Sequence, residues 1–190
     1  MIRPCTAWLC AAIVTGALGS HAIAGESSRQ KEVAQRGAEV MPFALSATTH
    51  IFTKTAHGGI QQVVTKRPDQ RQTTLIRQHL ALIAKQFAQG NFSAPAQIHG
   101  MAMPGLATLR AAKPGALQVH YRDVPNGGEI VYRSAQPRLV HAVHQWFDAQ
   151  LTDHGHDAMA GSTMDMSGMH DMGGMAALHS HAPAAPAKPD

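Results

Sequence analysis

The chain has 190 residues and a formal net charge of +4 at pH 7, from 16 Lys and Arg against 12 Asp and Glu. No basic run carries interleaved aromatics, which argues against nucleic acid as a partner. Two cysteines stand against 13 histidines and 10 methionines, so any soft-ligand chemistry falls to imidazole and thioether.

Residues 1–24 read as an export signal. Arg3 supplies a positive start, Trp8 to Gly19 is apolar and uncharged, and Ala22-Ile23-Ala24 gives the small-x-small pattern before Gly25. The apolar run is shorter than the ~20 residues of a permanent span, so no stable membrane anchor is expected. The expected location is the periplasm. Cleavage removes Cys5 and Cys10 together, leaving a mature chain without disulfide, thiolate nucleophile or thiolate ligand.

Residues 25–43 are polar, lack an apolar period and read as a flexible leader with room for some helix. Residues 44–154 carry the pattern of one globular domain. Its first unit has strand-like runs at His50–Thr55 and Ile60–Lys66, joined by a turn at His57-Gly58-Gly59. A helix follows, with Asp69 as N-cap, Leu75, Ile76, His79, Leu80, Ile83 and Phe87 at helical spacing, and Gly90 as its stop. A loop-rich connector, with a short helix near Leu106–Ala111, leads to the second unit. There Leu117–Asp123 and Glu129–Ser134 flank a Pro125–Gly128 turn. Pro137 then starts a helix bearing Leu139, Val140, Val143, His144, Phe147 and Leu151, which Gly155 ends. The expected fold is α+β: two ββα-like units forming one antiparallel sheet of about four strands, with both helices on one face. Residues 155–190 hold small residues, Met, His, Asp and Pro, and a tail with so little to bury is expected to be disordered.

That tail carries the strongest chemical signal. It presents Met159, Met164, Met166, Met169, His170, Met172 and Met175 within seventeen residues, followed by His179 and His181. Thioether sulfur is a soft, neutral ligand that selects Cu(I) over Zn, Mn or Mg. Three thioethers, or two with an imidazole, satisfy a cuprous ion, and a chain with ligands every two or three residues can wrap one. The histidines and aspartates, His156 included, also suit Cu(II). A core stripe of methionine would show Leu or Ile beside it, whereas here the neighbours are Gly, Ser and Asp.

Three further groupings are candidates. His99, Met101 and Met103 alternate in the connector like the His/Met-x-Met ligand sets of periplasmic cuprous chaperones, or they are a loop whose methionines fill the core edge. His79 and His144 lie on the apolar stripes of their helices; they meet as metal or haem ligands, or each is a core histidine satisfied by a hydrogen bond, and His50 either joins them or sits on the solvent side of its strand. Asp153-His154-Gly155-His156-Asp157 straddles the last helix end, its histidines either partners of the dipole or part of a metal-capable hinge.

Thr49-His50-Ile51-Phe52, the run Asn91-Phe92-Ser93 to Ile98-His99-Gly100 with Met103-Pro104-Gly105-Leu106, and His144-Gln145-Trp146-Phe147-Asp148-Ala149-Gln150-Leu151 through Asp153-His154-Gly155 together resemble a family of short exported bacterial proteins. Many of its members carry the label aspartate carbamoyltransferase. The resemblance spans about residues 45–157 and implies that His50, His99, Met103, His144 and His154 belong to the family pattern, without supplying a mechanism. Carbamoyltransferase activity is not expected: the Ser-Thr-Arg-Thr phosphate loop and the His-Pro-x-Gln segment of those enzymes are both absent.

The expected function is therefore periplasmic copper binding for tolerance, sequestration or handover. The partners would be copper ions and another periplasmic copper protein or exporter. The competing expectation is a metal-dependent enzyme, or a haem- or metal-binding domain, built on His79 and His144.

Overall fold

The computed structural model describes residues 27–162. The signal segment and the tail ligands Met164, Met166, Met169, His170, Met172 and Met175 lie outside them. None of the described helices is long and apolar enough to cross a membrane.

The leader carries more helix than its sequence pattern announces. From Ser28 to Val40 it forms a helix, α1. Ser27 opens it with a capping box, its hydroxyl accepting from the Gln30 backbone while the Gln30 side chain accepts from the Ser27 backbone N–H. Only Val33 and Gly37 are buried along it, which explains why no apolar stripe announces it. Polar contacts dock it instead: Arg29 reaches Asp153, and Gln30 donates to the Thr152 carbonyl.

The domain then follows the expected order. Strands β1 (Thr48–Thr55) and β2 (Gly58–Thr65) form an antiparallel hairpin. Helix α2 (Gln70–Ala88) begins at Asp69, whose carboxylate accepts from the Gln72 N–H. The connector holds α3 (Ser93–His99) and α4 (Leu106–Arg110), of which only the second was expected. Strands β3 (Gln118–Val124) and β4 (Gly127–Arg133) make the second hairpin, and α5 (Pro137–His154) starts with Pro137 in its first turn.

The two units join through antiparallel pairing of β2 with β4, Ile60 opposite Val131. The sheet runs β3-β4-β2-β1-β5. Its fifth strand, β5 (Ala158–Ala160), is built from what was read as the start of the tail and lies parallel to β1, Ala158 opposite His50. The fold is α+β as expected, but the sheet has five strands and is mixed rather than purely antiparallel.

Both long helices cover one face of the sheet. Phe52, Val63, Ile130 and Tyr132 meet Ile76, Leu80 and Phe87 of α2 and Val143, Trp146 and Phe147 of α5 in one core. Burying such side chains contributes roughly 1.5–3 kcal/mol each. Helix α2 packs mainly on β3 and β4, and α5 mainly on β1, β2 and β5. The Gly-Gly pairs read as turns lie inside the strands, and the turns proper are Ala56-His57 and Pro125-Asn126. Glycine is required for close approach: a Cβ at Gly59 would collide with the Phe147 ring, and one at Gly128 would come within 2.9 Å of Tyr121.

Candidate metal centre

Alternation along β1 fixes the first element of the site. Thr48, His50 and Phe52 share the inward face, so His50 stands beneath the helices, 2% exposed. Helix α3 ends on His99 and α5 ends on His154, and both residues converge on His50. The His50 and His154 rings stack with centroids 4.8 Å apart and planes 8° from parallel. His99 meets His154 edge to face at 5.0 Å. The row extends through Phe43, 6.2 Å from His50, to His79, 5.7 Å beyond Phe43.

Burial keeps these imidazoles neutral. It lowers His50 from 6.5 to about 4, against an opposing pull from Asp157, with His99 and His79 pushing further down. Burial, reinforced by His50 and His99, holds His154 well below the ordinary histidine value, and burial alone lowers His79. His99 is also lowered by burial, more than Asp153 raises it.

Asp153 orients the cluster. Burial would raise its carboxyl, but hydrogen bonds from Arg29 and His99 outweigh that and leave it below the usual carboxylate range. Arg29 grips both oxygens, at 3.1 and 2.8 Å, and donates a further bond to the His99 carbonyl at 2.6 Å. An ionised carboxylate only accepts, so the 2.8 Å contact to His99 Nδ1 fixes the proton on that nitrogen. His99 Nε2 is left with a lone pair. This is the carboxylate–histidine arrangement that sets ring direction and basicity in metal sites. Helix ends add to it, since the carbonyl-rich C-termini of α3 and α5 both favour positive charge where they meet.

A cavity of about 40 Å³ adjoins the rings, lined by His50, His79, His99 and His154 with Met41, Phe43, Phe52, Phe87, Trp146 and Gln150 among others. Three residues that line it each hold a buried polar atom with no hydrogen-bond partner among the described residues: His50 Nδ1, Trp146 Nε1 and Gln150 Oε1. Buried polar groups are nearly always paired, so three orphans on one cavity mark a place built for something else. Among the described residues, no three His, Asp or Glu side chains already converge as a finished metal cage. The stacked His50 and His154 must turn about χ2 to aim at a common point, and that torsion is broad for histidine.

The other candidates are dispersed. His144 does not approach His79. Its Nε2–H lies 3.0 Å from the Thr55 carbonyl and 2.8 Å from the Gly58 carbonyl, clasping the β1–β2 hairpin. The two histidines occupy comparable places in their units, but α2 and α5 cover different strands. His99, Met101 and Met103 also fail to form one site. Met101 is 61% exposed with its sulfur 3.1 Å from Arg110, whereas Met103 is buried in the core. Met103 and His99 do share a surface cleft with Arg29 and Asp153. His156 is exposed near Asp157, which pairs with Lys66, and Met159 is 53% exposed on β5.

The sequence reading missed Arg29, Gln150 and Met41, named Asp153 only as part of the helix-end run, and gave His50 only a supporting place. One signal was present: Trp146, Gln150 and His154 recur every four residues on a single face of α5. No protein-family model, curated protein or solved structure matches the chain.

Proposed function

We propose that this is a copper-binding protein of the bacterial periplasm, whose domain holds one ion on the imidazoles of His50, His99 and His154. The observation that carries the reading is the cluster itself: three rings in contact, His50 and His99 buried and His154 half-buried, all kept neutral, one turned by a carboxylate. Neutral imidazole is the ligating form, so burial that disfavours protonation leaves these rings ready for a metal without first expelling protons. A bare cluster of this kind gains little for stability, because each ring gives up water without gaining a full set of partners.

Imidazole alone suits copper, zinc, nickel and iron. The element is chosen by the rest of the chain. The thioethers of Met159, Met164, Met166, Met169, Met172 and Met175, with His170, favour Cu(I), and they belong to the tract that begins with β5, which starts opposite His50 and runs on past Phe52. The tail collects ions and the domain holds one more firmly, which serves tolerance, sequestration or handover to another periplasmic copper protein or exporter. A haem reading fits less well: a cavity of about 40 Å³ is far below the ~300–1,000 Å³ of ordinary ligand pockets. A metal enzyme built on His79 and His144 loses its second ligand to the hairpin clasp.

The test is metal titration with Cu(I), Cu(II), Zn(II) and Ni(II) of the full chain and of a chain lacking residues 163–190. The shortened chain should bind fewer cuprous ions yet keep one, and should lose that one on His154→Ala. If the shortened chain binds none while folded, the domain has no part in copper binding.

A further inference from the structure

Resting on that copper reading, we propose that the ion in the domain keeps an open coordination position facing the cavity, where a small exogenous ligand of one or two heavy atoms binds. The three orphaned atoms make the case. Trp146 is fully buried, Gln150 is 5% exposed and His50 is 2% exposed, and all three residues line the same cavity while each holds a polar atom with no partner among the described residues. They are not three of a kind. The indole N–H is a donor, the amide oxygen is an acceptor, and His50 Nδ1 is an acceptor or ligand.

One ion carrying one water satisfies all three together. The ion takes His50 Nδ1; the water oxygen accepts from Trp146 Nε1–H; one water proton goes to Gln150 Oε1. The space agrees, because about 40 Å³ admits an ion together with a small occupant. The geometry of α5 agrees as well. Trp146, Gln150 and His154 stand at intervals of four on one helix face, so the ligand His154 and the two polar groups are presented to the cavity by one rigid element. Closed structural metal sites fill their coordination with protein, whereas three protein ligands with an exchangeable fourth position belong to sites that handle a second molecule. Apart from the histidines, Gln61 and Gln150, the walls are apolar, with Phe43, Phe52 and Phe87 among them, which favours a small neutral ligand over a charged one.

Carbon monoxide on the cuprous full chain is the probe, read by infrared absorption. The expected result is a stretching band that saturates at one CO per His50-dependent ion and is absent in His50→Ala. Trp146→Phe and Gln150→Leu should keep copper stoichiometry and shift that band, because each removes a polar neighbour of the bound molecule. If Trp146→Phe does not fold, as judged by its melting curve, Gln150→Leu carries the comparison. A full chain that takes up its His50-dependent ion but shows no such band overturns the open position alone. A band unmoved by the wall variants overturns the role of the cavity. A full chain with no His50-dependent ion sinks the domain's part in the copper reading, and this inference with it.

Discussion

Acid should destabilise the metal-free domain, and His50 sets the scale. Its imidazole is fully enclosed, faced by His79, His99 and His154 with Asp157 nearby, and burial holds it at about 4 against 6.5 for the free side chain. Between those two values the unfolded chain binds a proton that the folded chain refuses. Stability is therefore complete above about pH 6.5, falls as pH drops through that window, and has lost all of this contribution by about pH 4. At about pH 5 the unfolded state gains close to 1.5 units of proton binding free energy, or about 2 kcal/mol at ~1.36 kcal/mol per unit. His154, His99 and His79 shift in the same direction, so His50 alone gives a lower bound. Urea denaturation in the presence of a chelator, at about pH 7.5 and about pH 5, reads this directly: a ~2 kcal/mol loss moves the midpoint down by roughly 1 M. His50→Phe, which fills the space without titrating, should flatten the dependence. Equal midpoints at the two pH values would mean that the rings accept protons inside the fold at no cost, and the argument from burial would fail.

Other substitutions separate the site from the scaffold. Asp153→Ala should weaken cuprous binding by about 10–100-fold in a chelator competition, as loss of an orienting carboxylate does. Asp153→Asn, which keeps an acceptor for His99 Nδ1–H, should cost less. His144→Ala should lower stability by about 1–2 kcal/mol through the lost hairpin clasp, seen in the melting temperature, with copper affinity unchanged. Gly59→Ala should cost about 1–3 kcal/mol, because Phe147 must give way, again without touching the metal. Removing residues 163–190 should lower copper stoichiometry and leave the urea midpoint where it was; a cut before residue 158 would also strip β5 and confuse the two effects.

The parts of the fold legible in the sequence were those written in side-chain periodicity and caps. Asp69, Gly90, Pro137 and Gly155 bound the two long helices as read, and the repeated hairpin-helix order stands. What escaped was held by other means. Helix α1 buries two residues and docks through Arg29 and Gln30, so its sequence shows polarity where a stripe was sought. Strand β5 is three residues paired through backbone, a contact to which side-chain patterns are blind. The candidate site was legible in residue type but only partly in grouping. His50 shares parity with Phe52 on β1, which places it in the core, yet its meeting with His99 and His154 depends on where two helices end in space. Met101 and Met103 were grouped with His99 by spacing, but the turn after α3 sends one sulfur to solvent and the other into the core.

The most direct test is a competition titration of Cu(I) against a chromophoric chelator, comparing the full chain with folded His50→Ala, His99→Ala and His154→Ala variants. The account predicts that each variant loses the same single, tightest ion while keeping the weaker ions attributed to the tail. Identical stoichiometry and affinity in all four proteins would contradict it.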